Sequence, residues 1–290
     1  MPITRVFFSV LFPLLVSLSA VAEQAPDNAD WYLPKQKDLV YLQTHTGDVV
    51  IMLSDAVAPL HKQRFVDLVN SGFYDNRYFY RVIEGFVAQA GSNTEQQTFD
   101  LATPLKAEFV KSPVAEDFVS VETDAPHAPE TGFIRGVPAA IDKQADSQWL
   151  IHCPGAVAFA RDNEPDTATT EFYVVIGQAP RHLDKNMSVI GKVLDGMAHL
   201  QALPRGNTIN GGVITSPTDA SKILSVRMGD TVPVDQQRQF RVQKASHPGY
   251  QRKINSARTL ENAFFHDKSL TPRTIDVCYY QPGVEEISKK

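Results

Sequence analysis

An arginine, a carboxamide and several rings stand close together in the run Phe79-Tyr80-Arg81-Val82-Ile83-Glu84-Gly85-Phe86-Val87-Ala88-Gln89-Ala90-Gly91. A guanidinium is a permanent cation with only donors, and a glutamine side chain both donates and accepts. If residues 79 to 89 are extended, alternation puts Phe79, Arg81 and Ile83 on one face, and a bend at Glu84-Gly85 resets the phase before Phe86 to Gln89. A cation, a ring and an amide then border one apolar groove. That set suits gripping a neutral peptide and stabilising a distorted amide, without breaking a bond. Rival chemistries have weaker support. The eight histidines show no H-x-x-x-H spacing, and His152-Cys153 alone is a weak metal signal. Neither a Gly-x-Ser-x-Gly elbow nor a phosphate-binding glycine loop is present.

The elements that position this run are mostly short strands. Leu39 to Leu53 reads as two strands joined at Thr46-Gly47-Asp48, with Val40, Leu42, Val49, Ile51 and Leu53 in alternation. A helix begins at Ala58-Pro59, has Phe65, Leu68 and Val69 on one face, and stops at Gly72. Strand character returns over Tyr74 to Ile83, Phe86 to Ala90, Ala156 to Ala160, Glu171 to Ile176, Ser188 to Leu194 and Ile223 to Met228. Met197, Leu200 and Leu203 mark a second, short helix. Without βαβ alternation, these elements favour a closed or sandwich-like β architecture. Residues 98 to 151, with scattered prolines and acidic residues and weak periodicity, read as a long insertion with a little secondary structure of its own.

With 290 residues, 43% of them hydrophobic, the chain can bury the core of one large domain or of a domain plus an appendage. A net charge of -5 gives no general attraction to nucleic acid. Residues 1 to 22 read as a signal peptide: Arg5, the apolar Val6 to Leu18, then Ala20-Val21-Ala22 as a small-x-small cleavage pattern. Export to the periplasm is therefore expected, with no stable membrane insertion once the signal is removed. Residues 23 to 37 read as a polar spacer. Cys153 and Cys278 are either one disulfide or two separate buried thiols. The extension 229 to 290 carries Arg238, Arg241, Lys244, Arg252, Lys253 and Arg258 with no intervening acid. This is a partner-binding face, a solvated surface or an internal complement to the acidic insertion.

Four ordered blocks between residues 39 and 228 resemble the cyclophilin-type peptidyl-prolyl isomerases. Ala58-Pro59, Phe65 to Leu68 and Gly72 to Asp75 resemble that family's first helix and following turn. The Arg81 block resembles Phe-His-Arg-Val-Ile followed by Phe-Met-Ile-Gln-Gly-Gly. Gly155 to Arg161 with Thr169 to Val175 is similar to Gly-x-x-x-Met-Ala followed by Ser-Gln-Phe-Phe-Ile. Leu183-Asp184 with Val189 to Met197 is similar to the Leu-Asp and Phe-Gly-Lys-Val blocks.

The resemblance implies a mainly β fold, a closed antiparallel eight-stranded β-barrel capped by two α-helices, over residues 38 to 228. It also implies catalysis of rotation about X-Pro bonds in unfolded or partly folded proteins, by a monomer without metal or cofactor. Amide resonance opposes that rotation by roughly 18 to 20 kcal/mol. At the twisted transition state the prolyl nitrogen gains lone-pair character, so Arg81 can donate to it better than to the flat ground state. The resemblance assigns Gln89 to the rotating carbonyl or adjacent backbone. It places Phe86, Val87, Tyr173, Leu183 and Met187 around the proline, and Ala160 and Arg161 along the substrate chain. Departures are expected to matter. Tyr80 replaces a histidine and should point away from the groove. Glu171 replaces a substrate-facing glutamine, and His182 stands where eukaryotic relatives often carry tryptophan. The alternative reading is a non-catalytic peptide-binding or chaperone module using the same groove.

Overall fold

The computed structural model describes residues 29–92 and 102–287. The signal peptide expected at 1 to 22 lies outside the described residues, as do the first positions of the expected insertion. The strands are β1 (Trp31–Tyr32), β2 (Leu39–Thr44) and β3 (Gly47–Leu53), followed by helix α1 (Pro59–Asn70). Next come β4 (Phe79–Val82), β5 (Val87–Ala90), β6 (Phe118–Ala125), β7 (Ala128–Ile134), β8 (Val137–Asp142) and β9 (Ser147–Leu150). The chain continues through β10 (Ala156–Phe159), β11 (Phe172–Val175), β12 (Val189–Asp195), helix α2 (Met197–Gln201) and β13 (Ile223–Met228). It ends with β14 (Gln239–Gln243), helix α3 (Pro248–Thr259) and β15 (Val284–Ile287).

Eight antiparallel strands in the order β13-β2-β3-β12-β10-β11-β5-β4 form a nearly closed barrel. Its two edges meet at an isolated bridge between Tyr78 and Lys222, where the Ile223 amide donates to the Arg77 carbonyl at 2.8 Å. Inward residues of the strands, among them Val40, Ile51, Ala88, Val157, Phe172 and Val174, form one core with Phe65, Leu68 and Val69 of α1 and Leu200 of α2. The two helices thus cap the barrel by the apolar faces that their periodicity marks. Burying each such side chain stabilises the fold by roughly 1.5–3 kcal/mol. At the N-terminus of α1, where Pro59 occupies the first turn, Glu108 accepts the Leu60 and His61 amides at 3.2 and 3.0 Å. Those amides have no partner within the helix, and a carboxylate is favoured there.

Alternation also sends apolar side chains outward. Leu39, Val50, Met52, Ala156, Ala158, Val175 and Val189 form a second core on the outer wall, which explains the unbroken apolar run Val49 to Leu53. Ile134, Val137, Ala139 and Leu150 cover part of that wall, and Phe240 and Val242 cover more. The covering residues belong to the sheet β6-β7-β8-β9 and to the sheet β1-β14-β15.

A complete four-stranded sheet in residues 118 to 150 is more than the small amount of secondary structure expected there. Pro129 and Pro138 lie in β7 and β8, and charged residues occupy covered positions, so the strand pattern is broken in sequence. Those charges are satisfied internally: Glu130 pairs with Lys143 at 2.6 Å and Glu122 with Arg258 at 2.7 Å. The basic tail follows the same rule, since Arg238 binds Glu286 and Asp195 and Arg241 binds Glu285. Of the three readings of that tail, complement to the insertion holds for Arg258, which pairs with Glu122, whereas Arg238 and Arg241 pair with acids of the tail itself and with Asp195 of the barrel. Cys153 and Cys278 form a disulfide that ties the tail to the segment before β10. The strand expected from Tyr74 is confined to Phe79–Val82, because residues 71–76 form turns.

Candidate active site

The covering sheets leave one end of the apolar outer wall open. There, a groove of about 440 Å3 is lined by Arg81, Phe86, Val87, Gln89, Ala160, Arg161, Tyr173, Leu183 and Met187. Strand register brings them together: Arg81 of β4 lies opposite Gln89 of β5, Gln89 opposite Tyr173 of β11, and Tyr173 opposite Ala158 of β10. Leu183 closes a short 3-10 turn, and Met187 precedes β12. Phe86, Leu183, Met187 and Ala160 are half-buried side chains packed on the outer core, to which Val87 and Tyr173 belong.

Strict alternation fails at Tyr80, where the pairing of β4 with β5 shifts register between Phe79 and Arg81. The extra residue leaves Phe79 and Val82 inside the barrel and puts both Tyr80 and Arg81 outside. Phe79 therefore does not share a face with Arg81, and Phe86 supplies the groove's ring. Arg81 Nε donates to the Gly211 carbonyl at 2.9 Å, and Nη1 donates to Gln89 Oε1 at 3.0 Å. Nη2 has no partner among the described residues. Gly211 sits in a loop that pairs alongside β4, with the Gly212 carbonyl accepting the Val82 amide at 2.9 Å. Gly212 has φ +83, and a Cβ there would meet Ile83 Cγ1 at 2.3 Å, so glycine is required at this position.

Tyr80 does not point away. Its hydroxyl accepts from Gln89 Nε2 at 2.8 Å and donates to Glu171 Oε2, while Glu171 Oε1 accepts the Ser92 amide. Arginine can only donate, so Gln89 must face it with oxygen, which sends the amide NH2 to Tyr80 and the phenol proton to Glu171. Burial, and then the Glu171 carboxylate, push the Tyr80 phenol far above its ordinary range, keeping it protonated. Glu171 is thus engaged by Tyr80 and the Ser92 amide and is not among the residues lining the groove. His182 also lies outside the lining set, stacked on Phe86 with ring centroids 6.2 Å apart.

A second network lies beneath the groove. Tyr173 is 3% exposed, and its hydroxyl lies 2.9 Å from Nε2 of the fully buried His152. His152 Nδ1 lies 2.9 Å from Asp184 Oδ1, which also accepts the His152 amide at 3.0 Å. Burial pushes the Asp184 carboxyl up, but the His152 hydrogen bond and the Arg181 charge outweigh it and hold it below the usual carboxylate range. The carboxylate fixes the proton on Nδ1, so Nε2 accepts from Tyr173. His152 and Cys153 thereby take structural partners, a histidine tether and a disulfide, in place of a shared metal.

The expected Arg81, Gln89, Phe86, Val87, Ala160, Arg161, Tyr173, Leu183 and Met187 are brought together, whereas Glu171 and His182 are not among the lining residues: Glu171 is engaged by Tyr80 and the Ser92 amide, and the exposed His182 stacks on Phe86. Tyr80, Gly211, His152 and Asp184 were not expected at the site. The Gly211-Gly212 pair was the one local signal among them, as a turn needing positive φ. The others become visible only when distant strands meet.

Residues 39–228 match the family model described as cyclophilin type peptidyl-prolyl cis-trans isomerase/CLD. A probable peptidyl-prolyl cis-trans isomerase of Brucella suis biovar 1 (strain 1330) is 27% identical over 202 residues, covering 70% of this chain and 87% of that one. A peptidyl-prolyl cis-trans isomerase of Arabidopsis thaliana, CYP23, is 28% identical over 203 residues, with 69% and 76% covered. The crystal structure of cyclophilin AquaCyp293 from Hirschia baltica shares the fold, with TM-score 0.72 and 24% identity, covering 91% of this chain and 96% of that one.

Proposed function

The chain belongs to the cyclophilin type peptidyl-prolyl cis-trans isomerases, and we propose that it catalyses X-Pro rotation in the Arg81 groove, acting on proline-containing segments of exported proteins. The observation that carries the residue assignment is the pinned guanidinium at the head of an apolar groove. Two of its nitrogens are held by Gly211 and Gln89, and Nη2 remains for the substrate. Phe86, Tyr173 and Leu183 hold the proline ring still while the preceding residue turns. As the amide twists, the prolyl nitrogen becomes a better acceptor and Arg81 donates to it, so the interaction strengthens at the transition state. Gln89, anchored at both ends, holds the adjacent carbonyl or backbone. Backbone groups of Ala160 and Arg161 align the chain. Export is supported by the pattern of residues 1 to 22 and by the Cys153–Cys278 disulfide, which suits an oxidising compartment.

A prolyl-isomerisation assay on a short X-Pro peptide tests the assignment. Arg81→Ala should lower kcat/KM by about a hundredfold or more, the scale for losing one preorganised donor to developing charge. Equal rates for variant and wild type would refute the role of Arg81.

A further inference from the structure

We propose that Arg161 makes the groove selective for peptides bearing a carboxylate side chain within a few residues of the proline. This rests on the isomerase reading of the same groove. Arg161 is held rigidly: Nε donates to the Asn186 carbonyl at 3.1 Å, and Nη1 donates to the Asp162 and Asn163 carbonyls at 2.7 and 2.9 Å. The Phe109 ring packs on the guanidinium at 5.4 Å. Backbone carbonyls orient this cation without neutralising it, and Nη2 has no partner among the described residues.

The charge balance of the groove points to an acidic ligand. Among the described residues, neither Arg161 nor Arg81 has a carboxylate within 4.0 Å, whereas Arg135, Arg227, Arg238, Arg241 and Arg258 are all ion-paired. Among the described residues, no acid lines the groove. Glu171 directs its oxygens to Tyr80 and to the Ser92 amide, and Asp162 and Glu164 are exposed. Two fixed positive charges therefore face a bound peptide, and an acidic side chain supplies what the protein withholds. The guanidinium is already ordered, so capturing a carboxylate costs little of its rotamer freedom.

Sheet spacing limits where that carboxylate can be. β4, β5, β11 and β10 are consecutive neighbours, so Arg81 and the end of β10 are separated by three intervals, about 14 Å at strand spacing. An extended peptide covers that span in about four residues. Arg161 thus meets a side chain near the rotating bond but not at it.

The test compares kcat/KM on matched X-Pro peptides carrying Glu, Gln or Lys at successive positions on either side of the proline. Wild type, Arg161→Gln and Arg161→Lys are assayed at low and high salt, with folding checked by circular dichroism. At one or more positions, wild type should prefer Glu over Gln by about threefold to fivefold, the scale of a partly exposed ion pair. The difference should lie mainly in KM, shrink at high salt, approach unity in Arg161→Gln and persist in part in Arg161→Lys. Equal handling of Glu, Gln and Lys peptides by wild type, or a Glu preference that survives in Arg161→Gln, would overturn the inference. Turnover of none of the peptides would overturn the isomerase reading itself and the selectivity with it.

Discussion

Tyr173→Phe keeps the ring that walls the groove and deletes the atom that satisfies His152 Nε2. In the intact protein the Tyr173 hydroxyl meets His152 Nε2 at 2.9 Å in a site where His152 is 0% exposed. After the change, Nε2 has no donor. Moving the proton to it gives no relief, because the Nδ1 lone pair would then face the Asp184 carboxylate 2.9 Å away. Leaving a buried acceptor unmade costs about 1–3 kcal/mol. In a chain of this size class, each kcal/mol shifts Tm by about 2–4 °C, so a fall of about 2–12 °C is expected in thermal unfolding followed by near-ultraviolet circular dichroism. The prolyl-isomerisation rate should suffer far less than in Arg81→Ala, since the apolar wall remains. Adding His152→Leu should cost less in the Tyr173→Phe background than in wild type, because that background has already lost the bond. An unchanged Tm, or additive losses in the double variant, would refute the claim that the hydroxyl is held by a buried histidine acceptor.

Two further changes test other parts of the same wall. Tyr80→Phe removes the acceptor for Gln89 Nε2 and the donor to Glu171 Oε2. Losing an anchor of about 1 kcal/mol should lower kcat roughly fivefold with little change in KM, and a wild-type kcat would show that Gln89 needs no such anchor. Lys192 is 4% exposed, with Nζ donating to the Gly136 carbonyl at 3.1 Å, and burial pushes its amine down to about 8 from 10.5. Below about pH 8 the amine is charged in both states and its burial penalty is fully felt. Between about 8 and 10.5 the unfolded chain binds more protons, so stability rises with pH. Denaturation midpoints of wild type should therefore improve relative to Lys192→Met as pH rises through that window, and parallel profiles would count against a buried charged lysine.

Much of the groove was legible because its residues come from short blocks whose order along the chain is itself informative. Gln89 and Tyr173 occupy strands that alternate cleanly, Phe86 directly precedes one of them, and pairing places Arg81 beside Gln89 and Gln89 beside Tyr173. The bulge at Tyr80 was not legible, because nothing in Phe79-Tyr80-Arg81 signals which residue β5 leaves unpaired. Its effect is large, since it reverses the face on which Tyr80 lies. His152 carried a misleading local signal beside Cys153; its partners Asp184 and Tyr173 lie 32 and 21 residues away. The sheet in residues 118 to 150 was concealed by Pro129, Pro138, Glu122 and Glu130, polar and ring-constrained residues whose partners are remote in sequence. Alternation reports what a strand buries, but not which distant charge satisfies it.

The groove is better understood as the uncovered remainder of a wall than as a pocket cut into a barrel. Val50, Met52, Ala158 and Val175 lie on the same outer face as Val87 and Tyr173, and all belong to one apolar cluster. Ile134, Val137, Ala139 and Leu150 of the sheet β6-β7-β8-β9 and Phe240 and Val242 of β14 join the same cluster, while Val87 and Tyr173 also line the groove. A strand packed on both faces has little room to shift, because interiors are dense and moving one side chain requires its neighbours to move. The wall beside the groove is thus clamped from inside by Phe172 and Val174 and from outside by the covering sheets. That rigidity serves rotation about a peptide bond: the protein has to hold the proline ring and the Arg81 donor in fixed relation while only the substrate turns.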